Sequence, residues 1–197
     1  MYDRVLELAR PSRETRVFDV GTTPDVDISY ANFFERWYPY TDQITVCSIE
    51  DCSALEDTFE GLRFRQIEGH RLPAADREFD LAVAFAVLEH VGKHASQQNF
   101  LGELARVARE FIIYTPYRYF PVEMHTLQPI VHWLPTPWYR TIWRRCGLKF
   151  WADEKNLNLL SLRQIRRILP RSGRTHVTLV SFCGVPSNIE VHWRQEA

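Results

Sequence analysis

No stretch of this 197-residue chain approaches the roughly 20 consecutive apolar residues that a membrane-spanning helix needs. Its first residues, MYDRVLELARPSRETR, lack the apolar centre and small-residue cleavage site of a secretion signal. Net charge is almost absent, at −1, so no global field draws the chain to nucleic acid or to an anionic membrane. Cysteine is sparse: Cys47, Cys52, Cys146 and Cys183 are scattered, and no C-x-x-C pair exists to suggest a redox or zinc site. Cys47 and Cys183 fall in apolar, strand-like runs and are expected to be core thiols. Internal repeats and low-complexity segments are also missing. These absences predict a reduced, cytoplasmic protein whose partner is a small molecule, not a nucleic acid or a membrane.

What is present suits a globular chain: 45% hydrophobic and 25% charged residues, with length enough for one substantial core. Residues 16–20, 43–48, 62–67, 79–85 and 110–115 read as strands. Between them lie helix candidates at 32–38, after Ser53 (where Glu56 completes capping-box spacing) and at 96–108, where Phe100, Leu101, Leu104 and Val107 share a face. A further helix is expected at 5–10, ended by Pro11. Strands alternating with helices predict a parallel, doubly wound α/β sheet. Helices at 138–146 and 162–169 follow, and strands at 176–183 and 189–193 close the chain as an antiparallel edge. The expectation is a Rossmann-like sheet of about seven strands in one domain over 1–197, with 116–170 inserted as a substrate-side loop and helices.

Residues 79–85 form a continuous apolar run broken only by Asp80, as suits a strand covered on both faces. The polar pair Glu89–His90 follows its carboxyl end, where ligands bind in open α/β sheets. A histidine there can act as a base near neutral pH, or it can simply hold the start of a helix. VFDVGTTPD (17–25) places Gly21 just past the first strand, where glycine permits close approach of the backbone. ITVCSIED (44–51) places Glu50 and Asp51 just past the second, where a carboxylate can accept both hydroxyls of a ribose. Gly21 and Glu50 are about 29 residues apart, longer than the roughly 20 of a nicotinamide fingerprint, and the glycines of that fingerprint are missing.

Aromatic residues, 13% of the chain, crowd between Tyr114 and Trp151. Prolines at 116, 121, 129, 135 and 137 preclude a long regular element there, and so long a loop is usually functional. Tyr117, Tyr119, Phe120 and Trp133 can wall an apolar pocket with Glu123 and His125 as its polar groups, or can pack as a satellite core. Glu123, His125 and His132 match no established zinc spacing, and no metal is expected. Arg140, Arg144, Arg145 and Lys149 read as a solvated helix face.

In this order, over residues 16–135, the motifs resemble those of class I S-adenosylmethionine-dependent methyltransferases, in particular the type 11 group and its small bacterial members. The resemblance implies S-adenosylmethionine as cofactor and methyl transfer to oxygen, nitrogen or carbon of a small molecule. It implies that Asp19, Gly21 and Thr22 hold the methionine part, that Glu50 or Asp51 takes the ribose, and that Gly69 and His70 meet the adenine. It has Phe85 and Ala86 line the adenosine cavity, and His90, Glu123 and His125 serve as acceptor-side or catalytic groups. Asn32 is placed to contact cofactor or substrate. The chain departs from the family in its first loop, where Thr22, Thr23 and Pro24 stand in place of further glycines. That departure motivates an alternative: a non-catalytic relative with a regulatory or assembly role.

Overall fold

The computed structural model describes residues 1–28, 31–69 and 71–196. Five parallel strands come first: β1 (Val17–Val20), β2 (Ile44–Ser48), β3 (Arg63–Gln66), β4 (Phe79–Phe85) and β5 (Ala108–Pro116). A hairpin, β8 (Arg174–Phe182) and β9 (Val185–Arg194), completes a seven-stranded sheet in the order β3-β2-β1-β4-β5-β9-β8. β9 runs antiparallel to β5, so the expected Rossmann-like sheet with an antiparallel edge is present. The strand order reverses between β1 and β4, and the crevice above that point is where such sheets take ligands. The short pair β6 (Val122–Glu123) and β7 (Gln128–Pro129) lies apart from the sheet.

Alternating strand residues feed two cores. Phe18, Val20 and Ala82 face α4 (His94–Val107) and α6 (Leu162–Ile168). Val17, Leu81 and Val83 face α1 (Tyr2–Ala9), α2 (Phe33–Trp37) and α3 (Ala54–Thr58). Along α4, Phe100, Leu101, Leu104 and Val107 are buried at helical spacing, each contributing about 2 kcal/mol by burial. Gln97 on the same face donates to the carbonyls of Leu88 and Asn158 at 3.1 Å, fastening the segment before α6 to the turn after β4. A smaller cluster packs α5 (Thr136–Arg145) through Tyr139 and Trp143 against Leu157 and Leu159. The satellite core therefore claims only some of the aromatics, and Tyr119, Trp133, Trp138 and Phe150 stay exposed.

Three local expectations are corrected. Ser53 does not cap α3 with its side chain, because it is itself helical and its carbonyl takes the Glu56 N–H at 3.0 Å, while the Glu56 carboxylate accepts the backbone N–H of Phe64. A full capping box forms instead at Ser161–Gln164, ahead of α6. Cys183 sits exposed in the β8–β9 turn at φ 49°, beyond the strand that the apolar run suggested, whereas Cys47 is buried as expected. Arg140 is buried, its guanidinium donating to the Leu157 carbonyl and the Asn158 side chain, while Arg144, Arg145 and Lys149 are exposed. No described helix is long and apolar enough to cross a membrane.

Candidate active site at the carboxyl end of the sheet

β1 ends at Val20 because Gly21 turns the chain at φ 93°, a conformation that side chains other than glycine rarely adopt. A Cβ here would also overlap the side chain of Val87 from the turn after β4. The Gly21 N–H donates to the Cys47 carbonyl at 2.7 Å. The glycine thus admits Val87 and ties β1 to β2, and its amide is not the free donor expected of this loop. Asn32 holds the rest of the loop: its side chain accepts from the Thr23 N–H and donates to the carbonyls of Thr23 and Asp25. Its amide is therefore spent on shaping the loop.

Asp19, Gly21, Thr22, Asn32, Glu35 and Phe85 line a cavity of about 160 Å³. Asp19 on β1 and Glu35 on α2 are both buried and within hydrogen-bonding reach of each other, and no other side chain among the described residues partners the Glu35 carboxyl. Burial pushes both carboxyls above their ordinary range, and for Asp19 the neighbouring Glu35 adds to the rise. The buried hydroxyl of Thr22 also lacks a partner among the described residues. Two carboxyls in such a place hold a proton between them or receive a cation from a ligand. Glu35 escaped the sequence reading. Its only signal was an acid inside an otherwise aromatic turn, Phe33-Phe34-Glu35.

At the rim, Glu50 is exposed and its carboxylate has no hydrogen-bond partner among the described residues. Asp51 is engaged: its Oδ1 accepts the Ser53 N–H at 2.9 Å, which holds its carboxyl below the usual value. Gly69 is exposed, turning at φ 75°. His70 lies outside the described residues.

Beyond β4, Phe85 is half-buried and stacks on Tyr114 at 5.7 Å, with Phe33 edge-on at 4.7 Å. Ala86 follows at φ 56°, a left-handed conformation unusual for alanine and typical of strained, functional turns. Its N–H is anchored to the Tyr114 carbonyl at 2.8 Å. The turn Leu88–His90 then sends Glu89 inward and His90 toward the loop after β5. Glu89 is fully buried; its Oε2 accepts the Thr115 hydroxyl at 2.9 Å, and its Oε1 has no partner among the described residues. Burial raises the Glu89 carboxyl, against the opposing pull of His90.

The three residues expected on the acceptor side, His90, Glu123 and His125, meet across the fold. His90 Nε2 lies 3.1 Å from His125 Nε2, and His125 Nδ1 lies 2.6 Å from Glu123 Oε1. Glu123 also accepts from the N–H and hydroxyl of Thr126 at 2.7 Å. Burial works to raise its carboxyl, but the bonds from His125 and Thr126 outweigh this and hold it down at about 2. For His125, burial works to lower the imidazole, and the hydrogen bond and charge of Glu123 lift it above its ordinary value. His132 goes elsewhere, its Nε2 2.9 Å from the Phe120 carbonyl. Glu123 and His132 also line a second cavity, of about 260 Å³, whose apolar wall includes Tyr117, Phe120, Met124 and Phe182.

The crevice lies at the strand-order reversal, and the seven-stranded sheet with its one antiparallel edge is the fold of Rossmann-like methyltransferases. Residues 39–110 match the family model described as a methyltransferase domain. Comparison with curated protein sequences finds no match. Among solved structures, the N-methyltransferase NodS of Bradyrhizobium japonicum, in complex with S-adenosylhomocysteine, superposes with a TM-score of 0.61 at 11% identity, covering 100% of this chain and 86% of that one. Magnesium protoporphyrin IX methyltransferase from Synechocystis, also with S-adenosylhomocysteine bound, gives 0.59 at 14% identity over 98% and 82%. A Rhodobacter sphaeroides structure described as a candidate Zn-dependent alcohol dehydrogenase gives 0.64 at 9% over 100% and 89%. Likeness at such identities establishes the fold; the activity is argued from the site.

Proposed function

We propose that the protein transfers a methyl group from S-adenosylmethionine to an oxygen, nitrogen or carbon of a small molecule. The observation that carries this reading is the buried pair Asp19–Glu35, with no ion-pair partner among the described residues, on a cavity at the strand-order reversal. When bound, the cofactor supplies an activated methyl on a cationic sulfonium, together with an ammonium group. Both positive charges suit two desolvated carboxyls, and the free Thr22 hydroxyl adds a polar partner. Glu50 takes the ribose, since Asp51 is already committed to Ser53. Gly69 and His70 flank the adenine, and Phe85 and Ala86 line its cavity. Residues 1–197 act as one cytoplasmic unit, with 116–170 forming the acceptor wall.

The acceptor, a small and largely apolar molecule, occupies the cavity beside Tyr117, Phe120 and Met124. The main contribution of the protein is alignment and exclusion of water. The bound cofactor would supply an electrophilic methyl to the acceptor's lone pair, with its sulfur as the leaving group, and any proton the acceptor loses would pass to water. His90 and His125 handle the acceptor side, with Glu123 fixing His125. A second reading, a non-catalytic relative, draws on the Gly21 N–H being spent on Cys47, which leaves the first loop without that donor. Calorimetric titration with S-adenosylmethionine and S-adenosylhomocysteine separates the two. One-to-one binding of both supports the enzyme, and no binding at millimolar concentration overturns it in favour of the second reading.

A further inference from the structure

The geometry points to a divalent metal site made by His90 Nε2, His125 Nε2 and Glu89 Oε1, at the turn after β4 and beside the acceptor cavity. The two imidazoles stand nearly perpendicular, at 83°, with their Nε2 atoms 3.1 Å apart. Each Nδ1 is already committed. His90 Nδ1 lies 2.7 Å from the Asn156 carbonyl, which can only accept, so that nitrogen carries the hydrogen. His125 Nδ1 faces the Glu123 carboxylate at 2.6 Å, with the same consequence. With the hydrogen of each ring on Nδ1, two Nε2 atoms stand 3.1 Å apart, and lone pairs at this distance need a proton or a metal cation between them.

A proton can bridge the two rings, but it leaves Glu89 unsatisfied. Glu89 is wholly buried, its Oε1 lacks a partner among the described residues, and that oxygen lies 3.9 Å from His90 Nε2. The three donor atoms lie within 4.8 Å of one another. Metal–ligand bonds of about 2.1 Å place neighbouring donors roughly 3.0–3.4 Å apart. The histidine pair already has that spacing, and Glu89 completes the triangle by closing about 0.5 Å toward His90 and up to about 1.4 Å toward His125. One divalent ion thus satisfies all three groups where one proton satisfies two.

The surroundings are those of a supported metal centre. Histidine ligands of metals ordinarily donate their other ring N–H to a carbonyl or carboxylate, and here Asn156 and Glu123 receive them. Thr115 fixes the far oxygen of Glu89, and Trp151 covers His125 at 4.9 Å between ring centres. Two imidazoles and one carboxylate select a first-row transition ion of the zinc kind over magnesium or calcium, which prefer all-oxygen sites. Three protein ligands leave a coordination position open, and the ligand it would take is a hydroxyl or enol oxygen of the acceptor. That role rests on the proposed methyl transfer; the site itself does not. It departs from the sequence expectation, which weighed Glu123, His125 and His132 and foresaw no metal.

The test uses the full chain, stripped with chelator and free of any nucleoside. Cobalt(II) is titrated by visible absorbance and zinc by calorimetry. The expected result is one equivalent of each bound, with cobalt d–d bands of an imidazole-coordinated ion, no comparable magnesium binding, and proton release on binding. His125→Ala abolishes the stoichiometric binding. Glu123→Gln, which keeps the ligands and loosens only their support, weakens it about tenfold. His176→Ala, on the exposed β8, changes nothing. Absence of stoichiometric cobalt binding by the wild-type chain overturns the inference, as does binding that survives His90→Ala/His125→Ala. Because neither titration contains cofactor, failure of the methyltransferase reading leaves this result standing.

Discussion

The two ends of the sheet treat their charges in opposite ways. At the amino end every prominent carboxylate is paired: Glu78 with Arg65 at 2.6 Å, Glu103 with Arg106 at 2.7 Å, and Glu110 with both His192 and Arg194 at 2.6 and 2.8 Å. At the carboxyl end Glu190 is paired with Arg4 at 3.5 Å, but Asp19, Glu35 and Glu89 are buried and have no arginine or lysine within ion-pair distance among the described residues. A protein selected only for stability would not bury acids this way, because an unsatisfied buried carboxyl is costly. The difference separates the part of the molecule that holds the sheet together from the part where we place the cationic cofactor.

The comparison can be broken at either end. Arg106→Ala removes the guanidinium that joins Glu103, Asp76 and the carbonyls of Leu72 and Ala74. It should cost about 3 kcal/mol in chemical denaturation while leaving S-adenosylhomocysteine affinity unchanged. At the other end, Asp19→Asn/Glu35→Gln should lower S-adenosylmethionine affinity by about 100-fold without loss of apo stability at pH 8. Equal destabilisation by both sets of changes would erase the distinction.

Acidity sharpens it further. Asp19 and Glu35 are raised from 3.8 and 4.5, so the folded chain keeps protons that the unfolded chain releases. Their contribution is fully present below those unfolded values and is lost as pH climbs from there through the raised folded values. Thermal melts of the free protein should therefore fall over that range. Added S-adenosylhomocysteine, whose ammonium favours the ionised pair, should protect more as pH rises. A pH-independent protection would argue that the cofactor does not meet these carboxyls. The smallest effect is expected at the rim: Glu50→Ala should weaken cofactor binding about tenfold, and Asp51→Ala should leave it unchanged with a slight loss of thermal stability.

Much of the sheet was legible because its signal is local. Residues 79–85 are β4 to the residue, since a run buried on both faces leaves nothing for periodicity to confuse. Arg140 and Cys183 were misread because neighbours distant in sequence, or the exact place of a hairpin turn, decide whether a side chain is covered. Glu35 gave almost no signal, because its meaning depends on Asp19 from another element. His90 and His125 were each visible as candidates, but 35 residues separate them, and only the folded loop reveals that their nitrogens share one point.

The turn after β4 carries a side chain to each site. Val87 packs on Gly21 at the cofactor loop, and three residues later His90 reaches His125. Such a short stretch of backbone leaves little slack between the two. A bulkier residue at 87, chosen to reshape one cavity, would drag the imidazole of the other with it. Anyone redesigning the specificity of this protein would have to treat the proposed cofactor loop and the proposed acceptor wall as a single mechanical part.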